Sequence, residues 1–207
     1  MYIISIPSYN RYEIINSHTL KMLENHNINP NIIHIFVANK TEYKKYLETL
    51  DEKYHKNLII GKKGLKNQRN FINKYFKNNQ NILFIDDDVK EIYQLTNYDK
   101  KNIKNNSKII LENFDKFVLE SFKLLKKQKC YLFGIYPINN PYFMYDRITY
   151  DLRLIVGPFY GIINRHKKEL VLTIDEKEDV ERTLQHFILD KKVMRCNHIC
   201  INTVYYK

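Results

Sequence analysis

The chain has 207 residues, 44% of them apolar and 14% aromatic, which indicates one domain with a substantial core and excludes an intrinsically disordered chain. Five glycines and five prolines leave no low-complexity linker, no apolar window reaches membrane-span length, and the run opening at Met1 is too short for a secretory leader. With an odd count of three cysteines (Cys130, Cys196, Cys200), the expectation is a soluble cytoplasmic protein with reduced thiols, while the net charge of +11 fits either a polyanionic partner or the drift of an Asn-, Lys-, Ile- and Tyr-rich composition.

Tyr2–Ile6 reads as a short apolar strand, broken at Pro7-Ser8-Tyr9-Asn10-Arg11. From about Glu13 to Glu24, Ile14, Ile15, His18 and Met22 recur at helical spacing. Ile32–Val37 is a second strand. Thr41–Tyr54 is a helix capped by Thr41, with Tyr43, Tyr46, Leu47 and Leu50 inward. Leu58–Ile60 is a third strand ending at Gly61, Leu65–Phe76 a helix, and Ile82–Ile85 the fourth strand. Single helices between apolar strands predict a parallel sheet covered on both faces, with a ligand crevice at the strands' carboxyl ends. Every conspicuous polar cluster falls at such an end: Pro7 to Arg11, Ala38-Asn39-Lys40, Lys62-Lys63-Gly64 and Asp86 to Asp88.

Further on, polar and lysine-rich Asn97–Lys108 reads as an exposed loop. Ile110, Phe114, Phe117, Val118, Ser121, Leu124 and Leu125 form one helical stripe facing a core. Tyr131–Tyr136 and Ile148–Val156 read as strands. The second leads into Gly157-Pro158-Phe159-Tyr160-Gly161, where two glycines permit close backbone approach to a ligand. Asp179–Leu189 fits a helix and Val193–Tyr206 an extended segment. The expected class is α/β, parallel in its first half and mixed in its second.

The chemistry concentrates where the fourth strand meets Asp86-Asp87-Asp88. Three adjacent carboxylates stay ionised cheaply only in water or around a cation, so a solvated acidic turn and a metal site both fit. Hard oxygen ligands suit Mg²⁺ or Mn²⁺ holding a phosphorylated substrate. An Asp-x-Asp phosphatase of the haloacid-dehalogenase type wants a small Thr or Val where this chain has Lys90, and wants the motif on the first strand. Cys196, His198 and Cys200 alternate along one strand face, but three residues of one strand do not converge on a tetrahedral zinc without a fourth.

The order Ile4-Ser5-Ile6-Pro7-Ser8-Tyr9-Asn10-Arg11, a basic helix before the fourth strand, the aspartates after it and the late Glu178-Asp179 pair resemble the GT-A nucleotide-sugar glycosyltransferases, family-2-like, over nearly the whole chain. Within that group, residues 133–141 and 178–184 resemble the viral and phage branch related to TET-associated DNA glycosyltransferases. The resemblance implies a Rossmann-like GT-A domain over 1–207, with 1–96 the nucleotide-sugar half and 109–207 the acceptor half. It implies inverting, Mn²⁺- or Mg²⁺-dependent transfer from a nucleotide diphosphate sugar, a UDP-sugar, to DNA carrying a hydroxymethylpyrimidine such as 5-hydroxymethylcytosine. A glycan or lipid acceptor, or a silent nucleic-acid-binding module on the same fold, are the alternatives.

Residue by residue, the resemblance implies that Asp86 faces the ribose or sugar and joins Asp88 at the metal, with Asp87 beside them and His198 a further ligand. Arg69, Lys63 and Arg195 would meet the diphosphate. Pro7, Tyr9 and Arg11 would border the nucleobase, Tyr9 by stacking, and Asn39 would bond the base edge where family-2 enzymes often carry Asp. Residues 157–161, Gly161 included, would shape the sugar pocket, and Tyr136, Asn139, Asn140 and Phe143 would face the acceptor. Asp179 takes the place of the catalytic base, with Glu178 second. Independent chemistry agrees: a departing diphosphate calls for a cation, and an attacking hydroxyl calls for a base.

Overall fold

The structure is a computed structural model and describes residues 1–203, so the last part of the expected terminal segment, 204–206, lies outside the described residues. Strand β1 (Ile3–Pro7) leads into a continuous helical stretch of α1 (Tyr12–Ile15), a π-helical turn at Asn16–Leu20, and α2 (Lys21–Asn25). Next come β2 (Ile33–Val37), α3 (Lys40–Thr49), β3 (Leu58–Ile60), α4 (Leu65–Tyr75), β4 (Asn81–Ile85), β5 (Val89–Asn97) and β6 (Ser107–Ile110). The chain continues through α5 (Phe114–Gln128), β7 (Leu132–Tyr136), β8 (Ile148–Thr149), β9 (Phe159–Ile163), α6 (Glu178–Asp190) and β10 (Met194–Thr203).

All the described strands join one sheet in the order β3-β2-β1-β4-β9-β7-β10-β5-β6, with β8 laid against β10. The four N-terminal strands are parallel, in register at Ile4 with Ile33, Ile3 with Ile82 and Phe36 with Ile59. β9 runs antiparallel between β4 and β7, and β5 runs antiparallel to both β10 and β6. The expected mixed α/β class is therefore the one found.

Continuous apolar strands follow from coverage on both faces. Along β4, Leu83 and Ile85 face a core with Ile15, Leu20, Val118 and Leu125, while Ile82 and Phe84 face a second core with Phe36, Ile72 and Tyr160. The period of two sends neighbouring residues into different layers. α5 and the α1–α2 stretch cover the first face, and α4 covers the second. No described helix is long and apolar enough to cross a membrane.

Four local expectations are corrected. Asn39, not Thr41, caps α3, accepting a hydrogen bond from the Glu42 N–H at 3.0 Å, and the helix stops at Thr49 before a separate 3₁₀ segment, Glu52–Asn57. Of 97–108 only Asn97 and Ser107–Lys108 are strand, the adjoining ends of β5 and β6, while 98–106 is the expected loop, mostly exposed, with a short 3₁₀ turn at Ile103–Asn105; Ile110, however, belongs to β6 and not to the α5 stripe. The expected strand 148–156 shrinks to the two residues of β8, since 150–158 has no strand neighbour. Finally, Phe159–Ile163, which overlaps the 157–161 stretch expected to bring backbone close to a ligand, is the fully buried strand β9.

Candidate functional site

At the carboxyl ends of β1 to β4 the sheet opens into a cleft of about 440 Å³. Among the residues singled out in the sequence, Pro7, Tyr9, Arg11, Lys63, Asp86 and Asp87 line it. One wall is the turn after β1. The Ser8 N–H donates to the Phe36 carbonyl, the Asn10 N–H to the buried Glu42 carboxylate at 2.6 Å, and the Arg11 N–H to the Tyr46 hydroxyl at 3.1 Å. α3 thereby holds this turn in place, with Asn10 at φ 55°. Opposite, Gln68 accepts the Lys62 N–H at 2.7 Å and occupies the space that any Cβ at Gly61 would need. The Lys63 ammonium sits 5.6 Å from the centre of the exposed Tyr9 ring, and Gly64, at φ 90°, opens α4 with no side-chain cap on its amides.

The three aspartates have three different environments. Asp87 is buried, takes a hydrogen bond from Ser8 and pairs with Arg11 at 2.6 Å. Burial raises its carboxyl pKa despite those partners. Asp88 lies 3.5 Å from Arg11, and burial together with the charges of Asp86 and Asp87 pushes it up to about 6. Asp86 pairs at 2.6 Å with Arg69, whose side chain is only 1% exposed. Burial works against the charged guanidinium, but Asp86 and Glu178 hold Arg69 above the ordinary arginine value. The turn itself is pinned from outside the cleft: Thr19, on the π-helical segment, donates to the Asp86 carbonyl at 2.7 Å and accepts the Val89 N–H at 2.9 Å.

The donor set fits a divalent cation in one respect and limits it in another. Asp88 is a carboxylate strained by its neighbours, the condition that a bound cation relieves. Yet no group of three His, Cys, Asp or Glu side chains among the described residues converges on a metal position. Two carboxylates with further oxygens from substrate phosphates is the pattern Mg²⁺-type sites commonly use.

Behind the aspartates, Arg69 extends the network to the second acidic pair. Its Nε lies 3.9 Å from Glu178, which also meets Arg182 at 3.3 Å. The Arg182 guanidinium stacks 3.6 Å from the Tyr160 ring centre, and Tyr160 stacks in turn on Phe84 at 4.6 Å. Glu178 is thus a buried counter-ion for two arginines. Asp179, half-buried at the start of α6, has a carboxylate that accepts the N–H of Val180 at 2.9 Å, and it is the more accessible carboxylate of the pair.

Several predicted site residues lie elsewhere. Asn39 is committed to capping α3 and does not line the cleft. Gly161 sits mid-strand in β9, where a Cβ would strike the Phe133 ring, so its missing side chain serves sheet packing, and it does not line the cleft. Arg195 is buried beside Tyr136 at 5.2 Å and donates to Asn197 at 2.8 Å, away from the cleft lining. His198 does not gather with Asp86 and Asp88, and burial lowers its pKa. Cys196 and Cys200 form no metal group with it, and burial pushes their thiols up to about 12 and 11. Of the acceptor candidates, Phe143 is exposed and Tyr136 packs edge-on against Tyr145, while Asn139 accepts from Lys108 and Asn140 caps the turn at Pro141–Phe143.

Sequence reasoning missed Ser8, Thr19, Tyr46 and Arg182, and the stacking role of Tyr160 within 157–161. Only Arg182 carried a local signal, four residues after Glu178 on one helix face. The others are ordinary core or loop residues until distant strands meet.

No family model matches the chain, and no curated protein matches its sequence. Solved structures do match. S. aureus TarS 1-349 in complex with UDP-GlcNAc aligns with a TM-score of 0.63 and 13% identity, over 100% of this chain and 60% of that one. The same fragment in complex with UDP gives 0.57 and 13%, over 97% and 59%. A further S. aureus TarS structure gives 0.59 and 14%, over 99% and 37%. This chain spans less than two thirds of the length of those proteins, and the likeness is one of fold: the GT-A-like mixed sheet.

Proposed function

We propose that the chain is a glycosyltransferase that moves a sugar from a UDP-sugar to a hydroxymethylpyrimidine in DNA, with inversion. The observation that carries this reading is the cleft at the ends of β1 to β4, where Asp86 and Asp87 share one cavity with Lys63, Tyr9 and the uncapped start of α4, and Asp88 adjoins them on the same turn. An aromatic ring, a cation, free helix amides and hard oxygen ligands together suit a nucleoside diphosphate. The fold likeness to a TarS fragment in complex with UDP-GlcNAc points to the same donor class.

In this reading Tyr9 stacks on the base, and Lys63 with the α4 amides binds phosphate oxygens. Asp88 and Asp86 would hold Mn²⁺ or Mg²⁺, which when bound offsets charge on the departing diphosphate. Arg69, buried in the core, keeps Asp86 oriented. Asp179 accepts the proton of the attacking acceptor hydroxyl. The net charge of +11 favours a polyanionic acceptor, and a 5-substituent already lies in the major groove, within reach without complete base flipping.

The test is a donor screen with Mn²⁺ on duplexes with and without 5-hydroxymethylcytosine, read by nucleoside mass spectrometry. The expected result is a sugar mass on the modified base alone, lost in Asp88→Ala and Asp179→Ala. Donor hydrolysis with no DNA product would move the acceptor to a glycan or lipid. Absence of donor binding overturns the enzyme reading and leaves a nucleic-acid-binding module.

A further inference from the structure

A second concavity lies apart from the cleft, between α4 and the segment that follows β9. This groove, of about 250 Å³, is lined by Asn73, Lys74, Arg165, His166, Lys167 and Lys168 among others, with no Asp or Glu in its lining. The ammonium groups of Lys74, Lys167 and Lys168 make no ion pair among the described residues and stand at the surface. His166 donates from Nε2 to the carbonyls of Asn73 and Phe76 at 3.0 and 2.9 Å, and Asn164 donates to the same two carbonyls. The carbonyl ends of α4, which would repel an anion, are therefore already occupied.

Inward of the groove is an enclosed chamber of about 20 Å³ that shares Asn73 and Arg165 with it and is walled also by Arg69 and Arg182. The side chains of Arg69, Arg165 and Arg182 are 1%, 9% and 6% exposed. Their charges are met by Asp86, Asp190 and Glu178, yet Arg69 Nε and Nη1, Arg165 Nε and Arg182 Nε find no acceptor among the described residues. Buried polar atoms without partners are costly, and these four nitrogens share the chamber wall with the equally unpartnered Oδ1 atoms of Asn73 and Asn164, a set that water in the chamber and ligand oxygens in the basic groove would complete together. The chamber itself holds about one water, so the larger ligand belongs in the groove.

We propose that this groove is an oxyanion site of the phosphate class, with Lys74, Lys167 and Lys168 supplying charge and Arg165 supplying the directed N–H at its floor. It is independent of the donor reading, since it shares no lining residue with the cleft. The phosphoryl group is either free phosphate or a phosphodiester of the nucleic-acid backbone.

The test is an NMR titration of arginine Nε–Hε signals in the full chain with inorganic phosphate at constant ionic strength, with and without UDP. Arg165 is assigned through Arg165→Lys. A saturable shift of the Arg165 signal is expected, unaffected by UDP and weakened about tenfold or more when Lys74, Lys167 and Lys168 are all replaced by Ala. Those lysines are exposed, and an unchanged thermal melt verifies that the variant folds. A short unmodified duplex that competes with phosphate identifies the backbone as the ligand; a duplex that does not compete identifies free phosphate. No saturable shift, a shift unchanged in the triple variant, or one abolished by UDP overturns the site.

Discussion

At the scale of single residues, the cleft divides its carboxylates into those that hold structure and those left for chemistry. Asp88 has a folded pKa of about 6, above the roughly 3.9 of an unfolded aspartate. Between those values the folded chain keeps a proton that the unfolded chain has released, so this group's contribution to stability falls as pH rises toward 6. Asp88→Asn is expected to stabilise the metal-free protein near neutral pH by about 2 kcal/mol in urea titration, while abolishing Mn²⁺ binding. In the unaltered chain, Mn²⁺ affinity should fall as pH drops through about 6. The acidic pair at α6 separates in the opposite way. Asp179→Asn should cost about 100-fold or more in turnover with an unchanged melting temperature. Glu178→Gln strips a buried partner from Arg69 and Arg182, and should cost about 3 kcal/mol of stability before any catalytic effect is read.

At the scale of elements, β9 is where local pattern and tertiary role diverge most. Its glycine suggested close backbone approach to a ligand, but Gly161 makes room for the Phe133 ring of the neighbouring strand. Gly161→Ala should destabilise by about 2 kcal/mol through overpacking, measured by denaturant unfolding, with UDP affinity unchanged in the fraction that remains folded. A sugar-pocket glycine would show the reverse, lost affinity at constant stability. β6 was hidden for another reason: it is the edge strand beyond β5, short and opened by Ser107 and Lys108, and polar residues are favoured at an edge because they discourage pairing with other chains. The α3 cap moved from Thr41 to Asn39 because either residue type can cap, and only the backbone angles decide which does.

At the scale of the whole molecule, a net charge of +11 sits on a fold whose cleft, at the aspartate end, is acidic. If DNA is the acceptor, its affinity should be carried by phosphate contacts and depend steeply on salt. With about four phosphates engaged, the dissociation constant should rise about 10²-fold between roughly 50 and 200 mM salt, measured by fluorescence anisotropy. An affinity flat in salt would detach the basic surface from the acceptor. Much of this architecture was legible in the chain alone. Apolar strands spaced by single helices require a parallel sheet covered on both faces, and that topology leaves polar clusters at the carboxyl edge, where Pro7, Tyr9, Arg11, Lys63, Asp86 and Asp87 do meet. What only the tertiary structure decided was how partners far apart in the chain share charge and space. Arg69 closes on Asp86 and Glu178, Thr19 pins the aspartate turn from a π-helical segment, and Phe133 fills the place of a side chain at Gly161. Periodicity reports which face of an element is apolar. It carries no information on which distant residue arrives there, because that is set by packing between layers.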